Sequence, residues 1–267
     1  MRVSLASSPL LYAHRGAAAE LPENTLPSFR RALDAGATAL ETDVHMTKDG
    51  HVVVSHDATG ERMAGVVRAI RHATLDEVRS WDAGFGFVDR DGKRPFVGKG
   101  FCFPTLEELL VEVRGIPINV DAKQRVPDMV PALLDVVRRA GAEERVLLAS
   151  FDVRTLTRIR RLGYRGPTGL AQAEVVRLLA LPLIAHRVLP LRGTAAQLPH
   201  RQSGINLGTR AVIAKCHALG LLVHYWTVND PARAKELLDY GADGIMTDDP
   251  RAIAPVFAAR LTACTPT

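Results

Sequence analysis

Short apolar runs alternate with longer stretches in which apolar positions recur at helical spacing, from about residue 9 almost to the C-terminus. Strands buried on both faces read as nearly continuous apolar runs, and crossover helices show one apolar stripe, so the alternation predicts strand–helix units in a parallel sheet. Pro9–Ala13 reads as the first strand. Pro22–Ala35 follows as a helix, with Leu26, Phe29 and Leu33 on one face and Gly36 where it should stop. Ala39–Val44 is a strand, Thr47–Gly50 a tight turn, and Val52–Ser55 a strand able to pair back.

From Asp57 to Phe103 the periodicity fades into a stretch rich in Gly, Arg and Asp, which reads as an insertion. Alternation then resumes. Helices are predicted at Leu106–Val113, Asp128–Ala140, Val153–Leu162, Glu174–Leu181, Thr209–Leu219, Pro231–Tyr240 and Pro250–Ala259. The strands between them are Ile116–Val120, Val146–Ala149, a short one near Thr168, Ala195–Leu198, Leu222–Trp226 and Asp243–Met246. Ile184–Ile205 is the least readable stretch.

That count approaches eight strand–helix units in a chain of 267 residues, close to the ~250 typical of a (β/α)8 TIM barrel. The expected fold class is therefore α/β: one barrel domain over 1–267, with a small inserted segment, 57–103, after the second strand. No GxGxxG follows any strand, which argues against a doubly wound nucleotide-binding sheet.

Hydrophobic residues at 47% and charged residues at 24% fit a globular protein and exclude a disordered or fibrous chain. The net charge of +5 rests on 28 arginines and six lysines, scattered rather than clustered, and aromatic residues are only 5%. A dedicated nucleic-acid surface is not expected. Cys102, Cys216 and Cys264 show no metal spacing and read as free thiols; with no apolar stretch long enough to span a bilayer, a cytoplasmic location is expected. A secretory signal at the N-terminus would have to be removed together with the first strand.

Active-site groups of such barrels sit at the C-terminal ends of strands. Here the first strand ends in His14-Arg15-Gly16, the second carries Glu41-Thr42-Asp43, the return strand ends in His56-Asp57, and the third ends in Asp121 with Lys123 beyond it. Glu41 and Asp43 share a face, since side chains two apart on a strand point the same way. Two such carboxylates repel unless a cation or proton lies between them, and with Asp121 they make an oxygen set suited to Mg2+ or Ca2+. His14 and His56 are the right side chains for acid–base work near neutral pH, and Arg15 for clamping an anion. The remaining histidines, from His45 to His224, lack such company and read as structural or solvent-exposed.

His14-Arg15-Gly16, Pro22-Glu23-Asn24-Thr25, Glu41-x-Asp43, Asp49-Gly50, His56-Asp57, Pro104-Thr105-Leu106-Glu107-Glu108, Trp226-Thr227-Val228-Asn229 and Asp243-Gly244-Ile245-Met246-Thr247-Asp248 occur in order along the chain. The ordered set resembles the glycerophosphodiester phosphodiesterase family from about residue 10 to 258. The resemblance implies a (β/α)8 barrel with Asp57–Phe103 as a small inserted cap segment beside the active site, and hydrolysis of a small-molecule glycerophosphodiester to sn-glycerol 3-phosphate and an alcohol, aided by a divalent cation. It matches His14 and His56 to the acid–base pair, Arg15 and Lys123 to phosphate contacts, Glu41 and Asp43 to metal ligands, and Trp226 to a side chain packing on the glycerol end. Asn24 reads as a loop-holding group. Asp121 stands where many members have glutamate; it keeps the charge and the facing on a shorter arm, and a ligand role is expected. Two alternatives share this sequence: lysophospholipase D-type cleavage at the same site, and a barrel that has lost catalysis.

Overall fold

A computed structural model describes residues 9–263. Eight strands carry the architecture: β1 Leu10–His14, β2 Ala39–Met46, β3 Val52–Val54, β4 Ile118–Ala122, β5 Val146–Ala149, β6 Ala195–Pro199, β7 Leu222–Trp226 and β8 Gly244–Thr247. Seven run parallel in the order β5-β4-β2-β1-β8-β7-β6, and β3 pairs back antiparallel on β2. Thr168 and Gly169 join the two ends of this curled sheet, Thr168 bridging Leu148 and Gly169 bridging Ala195, both in the parallel sense. The (β/α)8 barrel is closed by that two-residue stave.

The closing stave is short because Pro167, just before it, has no N–H to give a ladder, and Gly166 and Gly169 offer no side chain to pack. Arg160 supports it from outside: its Nη2 donates to the Gly169 carbonyl at 2.9 Å and its Nε to Thr168 Oγ1 at 3.2 Å. The guanidinium is in turn paired at 3.1 Å with the buried Glu174, which also accepts from the Ala171 backbone N–H at 2.9 Å.

The helices are α1 Leu26–Asp34, α2 Leu106–Glu112, α3 Val130–Arg139, α4 Val153–Arg161, α5 Gln172–Ala180, α6 Arg210–Ala218, α7 Pro231–Asp239 and α8 Pro250–Ala263. The first begins four residues later than its apolar pattern predicts. Thr25 has extended backbone and its Oγ1 accepts from the Ser28 N–H, so it caps α1 and leaves Pro22–Asn24 as a turn. Similarly α3 starts at Val130 rather than Asp128.

Period-two alternation divides each strand between two environments. Leu40, Val44, Val120 and Leu148 face the helices on one half of the barrel, and Leu11, Leu198, Val223 and Ile245 on the other. Leu10, Tyr12, Leu147, Ala149 and Met246 fill the interior. The interior series on β1 therefore runs Leu10, Tyr12, His14, and on β2 Ala39, Glu41, Asp43: apolar below, ionisable at the mouth.

The segment after β3 holds an antiparallel pairing of Thr59–Gly60 with Val66–Ala69 and short helices at Glu61–Ala64 and Leu75–Arg79. Met63, Ile70, Val78, Trp81 and Phe103 make its own apolar cluster, seated on Val53 of β3. Elements this short leave no periodicity to read. The other obscure stretch contains a 3-10 helix at Leu183–Arg187, β6, and a two-residue hairpin of Arg201–Gln202 with Ile205–Asn206. Cys102 and Cys216 are free thiols, and Cys264 lies outside the described residues. Among the described residues no helix is long and apolar enough to cross a membrane.

Candidate active site

The strand register assembles the site. His14 pairs with Glu41 across β1 and β2, and Asp43 with Asp121 across β2 and β4, so four interior-facing ionisable groups are side by side at the barrel mouth. They line one cleft with Arg15, His56, Lys123 and Trp226, and every sequence-predicted site residue reaches it. Phe151, Leu170, Val175 and Pro199 give it an apolar wall interspersed with Gln172, Gln197 and Gln202.

Arg15 is aimed by backbone geometry. Its φ is +58° and that of Gly16 is +90°; a Cβ on residue 16 would fall 2.4 Å from Ser28 Oγ, so the turn demands glycine there. The Arg15 N–H donates to the Glu41 carbonyl at 3.0 Å and its carbonyl accepts from the Asn24 N–H at 2.8 Å. Asn24, itself at φ +58°, accepts from Thr42 Oγ1 at 2.8 Å, which is the loop-holding role its place in the turn suggests. So held, the guanidinium lies with Nε 3.2 Å from Asp43 Oδ2 and Nη1 3.3 Å from Glu23 Oε1.

Each cleft histidine has an aspartate on Nδ1: Asp248 at 2.7 Å from His14 and Asp57 at 2.7 Å from His56. Burial works against both aspartate anions, but hydrogen bonds from the histidines and from Asn229 or Arg62 outweigh it and hold both pKa values below the usual range. An ionised carboxylate only accepts, so each histidine donates from Nδ1 and leaves Nε2 for a reacting group. Asp248 is fixed in turn by Asn229 Nδ2 at 2.8 Å, whose Oδ1 accepts from Thr247 Oγ1 and the Asp248 N–H. Burial also opposes the His14 cation, yet Glu41 and Asp248 raise its pKa.

The carboxylates are held apart in charge. Burial and the neighbouring Asp43 push Glu41 up to about 8, and burial outweighs Lys123 to raise Asp121. Asp43 goes the other way, because Lys123 and Arg15 overcome its burial. Lys123 Nζ lies 2.9 Å from Asp43 Oδ1 and 2.7 Å from Asp121 Oδ2. As the side chains stand, no three His, Cys, Asp or Glu among the described residues form a closed metal-binding group; the ammonium takes the place between two of the acids. The donor chemistry nonetheless suits a hard cation: Glu41 Oε2, Asp43 Oδ2 and Asp121 Oδ1 are buried without hydrogen-bond partners, as is Asn119 Oδ1 beside them.

Sequence reasoning missed the supporting residues. Asp57, Asn229 and Asp248 lay within recognised motifs but carried no assigned role: Asp57 holds the ring of the residue before it, whereas Asp248 reaches His14, with Asn229 behind it, only because the two ends of the chain meet at the barrel mouth. Arg62 and Phe151 had no local signal at all. Phe151, more than half exposed, meets Trp226 edge-on at 5.9 Å and lies under the Lys123 ammonium at 5.4 Å.

The chain is similar to known proteins over nearly its whole length. The model of the glycerophosphoryl diester phosphodiesterase family matches residues 14–252. A glycerophosphodiester phosphodiesterase of Caldanaerobacter subterraneus subsp. tengcongensis is 30% identical over 249 residues, spanning 91% of this chain and 96% of its own. A probable glycerophosphodiester phosphodiesterase 2 of Mycobacterium tuberculosis is 32% identical over 257 residues, spanning 93% and 90%. The solved structure of a candidate glycerophosphoryl diester phosphodiesterase from Silicibacter pomeroyi has a TM-score of 0.76 at 29% identity and covers 95% of each chain. With a match that runs from the histidine ending β1 into α8, on a barrel of the same shape, this chain belongs to the glycerophosphoryl diester phosphodiesterase family.

Proposed function

We propose that the cleft hydrolyses a glycerophosphodiester to sn-glycerol 3-phosphate and an alcohol, with His14 and His56 as the acid–base pair and a divalent cation, Mg2+ or Ca2+, held by Glu41, Asp43 and Asp121. The observation that carries this reading is the meeting, at one barrel mouth, of two histidines with Nδ1 tied to aspartate, two cationic side chains and three buried acids. A phosphodiester resists hydrolysis because its negative charge repels nucleophiles and its alkoxide is a poor leaving group. Catalysis therefore needs charge neutralisation, alignment and a proton donor.

Arg15 and Lys123 bind the non-bridging phosphate oxygens, Arg15 with a planar fork and Lys123 as a point charge. A cation held by Glu41, Asp43 and Asp121 would supply further positive charge to the phosphate. One histidine Nε2 takes the proton of the nucleophile while the other delivers a proton to the departing alcohol oxygen; where the adjacent glycerol hydroxyl rather than water attacks first, the two roles reverse as water opens the cyclic phosphate. Trp226 packs against the glycerol carbons. A second reading, cleavage of lysophospholipids at the same centre, is favoured by the apolar wall of Phe151, Leu170, Val175 and Pro199.

The test is a release assay on glycerophosphocholine, -ethanolamine, -glycerol, -inositol and lysophosphatidylcholine with Mg2+, Ca2+ or chelator. His14→Ala and His56→Ala are expected to lower turnover by ~10²–10⁴ with the fold intact. Full activity of either variant, or no release from any diester with any ion, overturns the reading. Preference for lysophosphatidylcholine selects the second.

A further inference from the structure

Between the barrel and its inserted segment, one side chain touches both halves of the catalytic apparatus without lining the cleft. Arg62, on the short helix Glu61–Ala64, places Nη2 2.6 Å from Glu23 Oε1, Nη1 3.0 Å from Glu23 Oε2, and Nε 2.5 Å from Asp57 Oδ2. Glu23 Oε1 is also 3.3 Å from Arg15 Nη1, and Asp57 Oδ1 is 2.7 Å from His56 Nδ1. The result is an unbroken chain of charge pairs, Arg15–Glu23–Arg62–Asp57–His56, in which Arg62 is the only link contributed from within a helix of the inserted segment.

We propose that Arg62 is a positioning residue for this site: it fixes His56 through Asp57 and Arg15 through Glu23, so that the inserted segment sets the geometry of proton transfer and of anion binding together. The proposal rests on the reading of His56 and Arg15 given above. An isolated surface ion pair is worth little, but here all three guanidinium nitrogens are used, one carboxylate is held in bidentate fashion, and both acids are partly buried. A rigid fork that satisfies two acids at once cannot be replaced by a single ammonium. Asp57 needs such an anchor because it follows His56 directly in sequence. Without a second partner its carboxylate is free to swing with the loop, and the imidazole loses the acceptor that keeps its proton on Nδ1.

The test combines kinetics with a readout that needs no substrate. Arg62→Met is expected to lower kcat about 10-fold and raise KM several-fold, with Arg62→Lys recovering only a minor part. Asp57→Asn should remove the kcat component, so that adding Arg62→Met to it lowers kcat no further; Glu23→Gln should do the same for the KM component. In 15N-histidine spectra, the His56 ring nitrogens of the parent protein should show a proton fixed on Nδ1, and Arg62→Met should give mixed tautomers, while the thermal midpoint confirms folding. Arg62→Met with kcat, KM and ring-nitrogen signals all unchanged overturns the proposal, as does a kcat loss that adds in full to that of Asp57→Asn. His56→Ala run alongside separates the two levels: a fully active His56→Ala refutes the functional reading, whereas an inactive His56→Ala beside an unaffected Arg62→Met refutes the positioning role alone.

Discussion

Replacing Asp248 with asparagine removes one negative charge from the 2.7 Å contact to His14 Nδ1 and changes almost nothing else in shape. Hydrogen bonds to charged groups contribute about 1.5–3 kcal/mol, and Asp248 is about one-third exposed, so solvent screening favours the lower part of that range, about 1.5–2 kcal/mol. At 1.36 kcal/mol per factor of ten, the loss of orientation and of imidazolium stabilisation lowers kcat by about 10- to 30-fold. A further loss follows if the new amide presents its NH2 group to Nδ1, because the ring proton is then forced onto Nε2, the nitrogen meant for the reacting oxygen. The assay is steady-state alcohol release at saturating substrate and metal, with the thermal midpoint measured in parallel. KM should move little, since Asp248 acts on His14 rather than on the phosphate. Unchanged kcat in a folded Asp248→Asn protein would refute the argument, and so would a defect confined to KM. Asn229→Ala, which frees Asp248 without removing its charge, should show the same defect in smaller measure.

Further expectations concern stability. His224 is fully buried against Tyr12, with both ring nitrogens unpartnered, and burial depresses its pKa to about 4. The unfolded chain takes up this proton near pH 6.5 but the folded one resists it until about pH 4, so stability is unaffected at neutral pH and falls by about 3 kcal/mol across that window. His224→Leu should flatten this part of a urea-denaturation pH profile; an unchanged slope counts against the assignment. Glu174→Ala leaves the Arg160 guanidinium without its buried partner beside the closing stave and should cost about 3–5 kcal/mol. A loss below 1 kcal/mol in chemical denaturation would mean that Arg160 finds solvent and that Thr168–Gly169 does not depend on the pair.

The alternation of elements was legible in the sequence, and strand ends were legible to within about two residues: Ala39–Val44 continues to Met46, and Ile116–Val120 is β4 at Ile118–Ala122. Parallel strands buried on both faces must be apolar runs, so polar residues at their C-terminal ends stand out, and His14, Glu41, Asp43 and Asp121 were legible for that reason, whereas Trp226 was singled out only by the family resemblance. Side-chain alternation then makes Glu41 and Asp43 neighbours on one face. Helix starts were less legible: Pro22 and Asp128 fit the helical pattern, but the backbone is decided by whichever residue can cap the first turn, and at α1 that is Thr25. The inserted segment and the stretch around Ile184–Ile205 resisted reading because their elements are too short to show a period. Only the tertiary structure decided who touches whom across the barrel mouth. Asp248 lies 234 residues from His14, and Arg62 39 from Glu23, yet each pair is in hydrogen-bond contact. Local pattern encodes which face a side chain takes; the partner waiting there is set by strand register and barrel closure, which no local stretch of sequence contains.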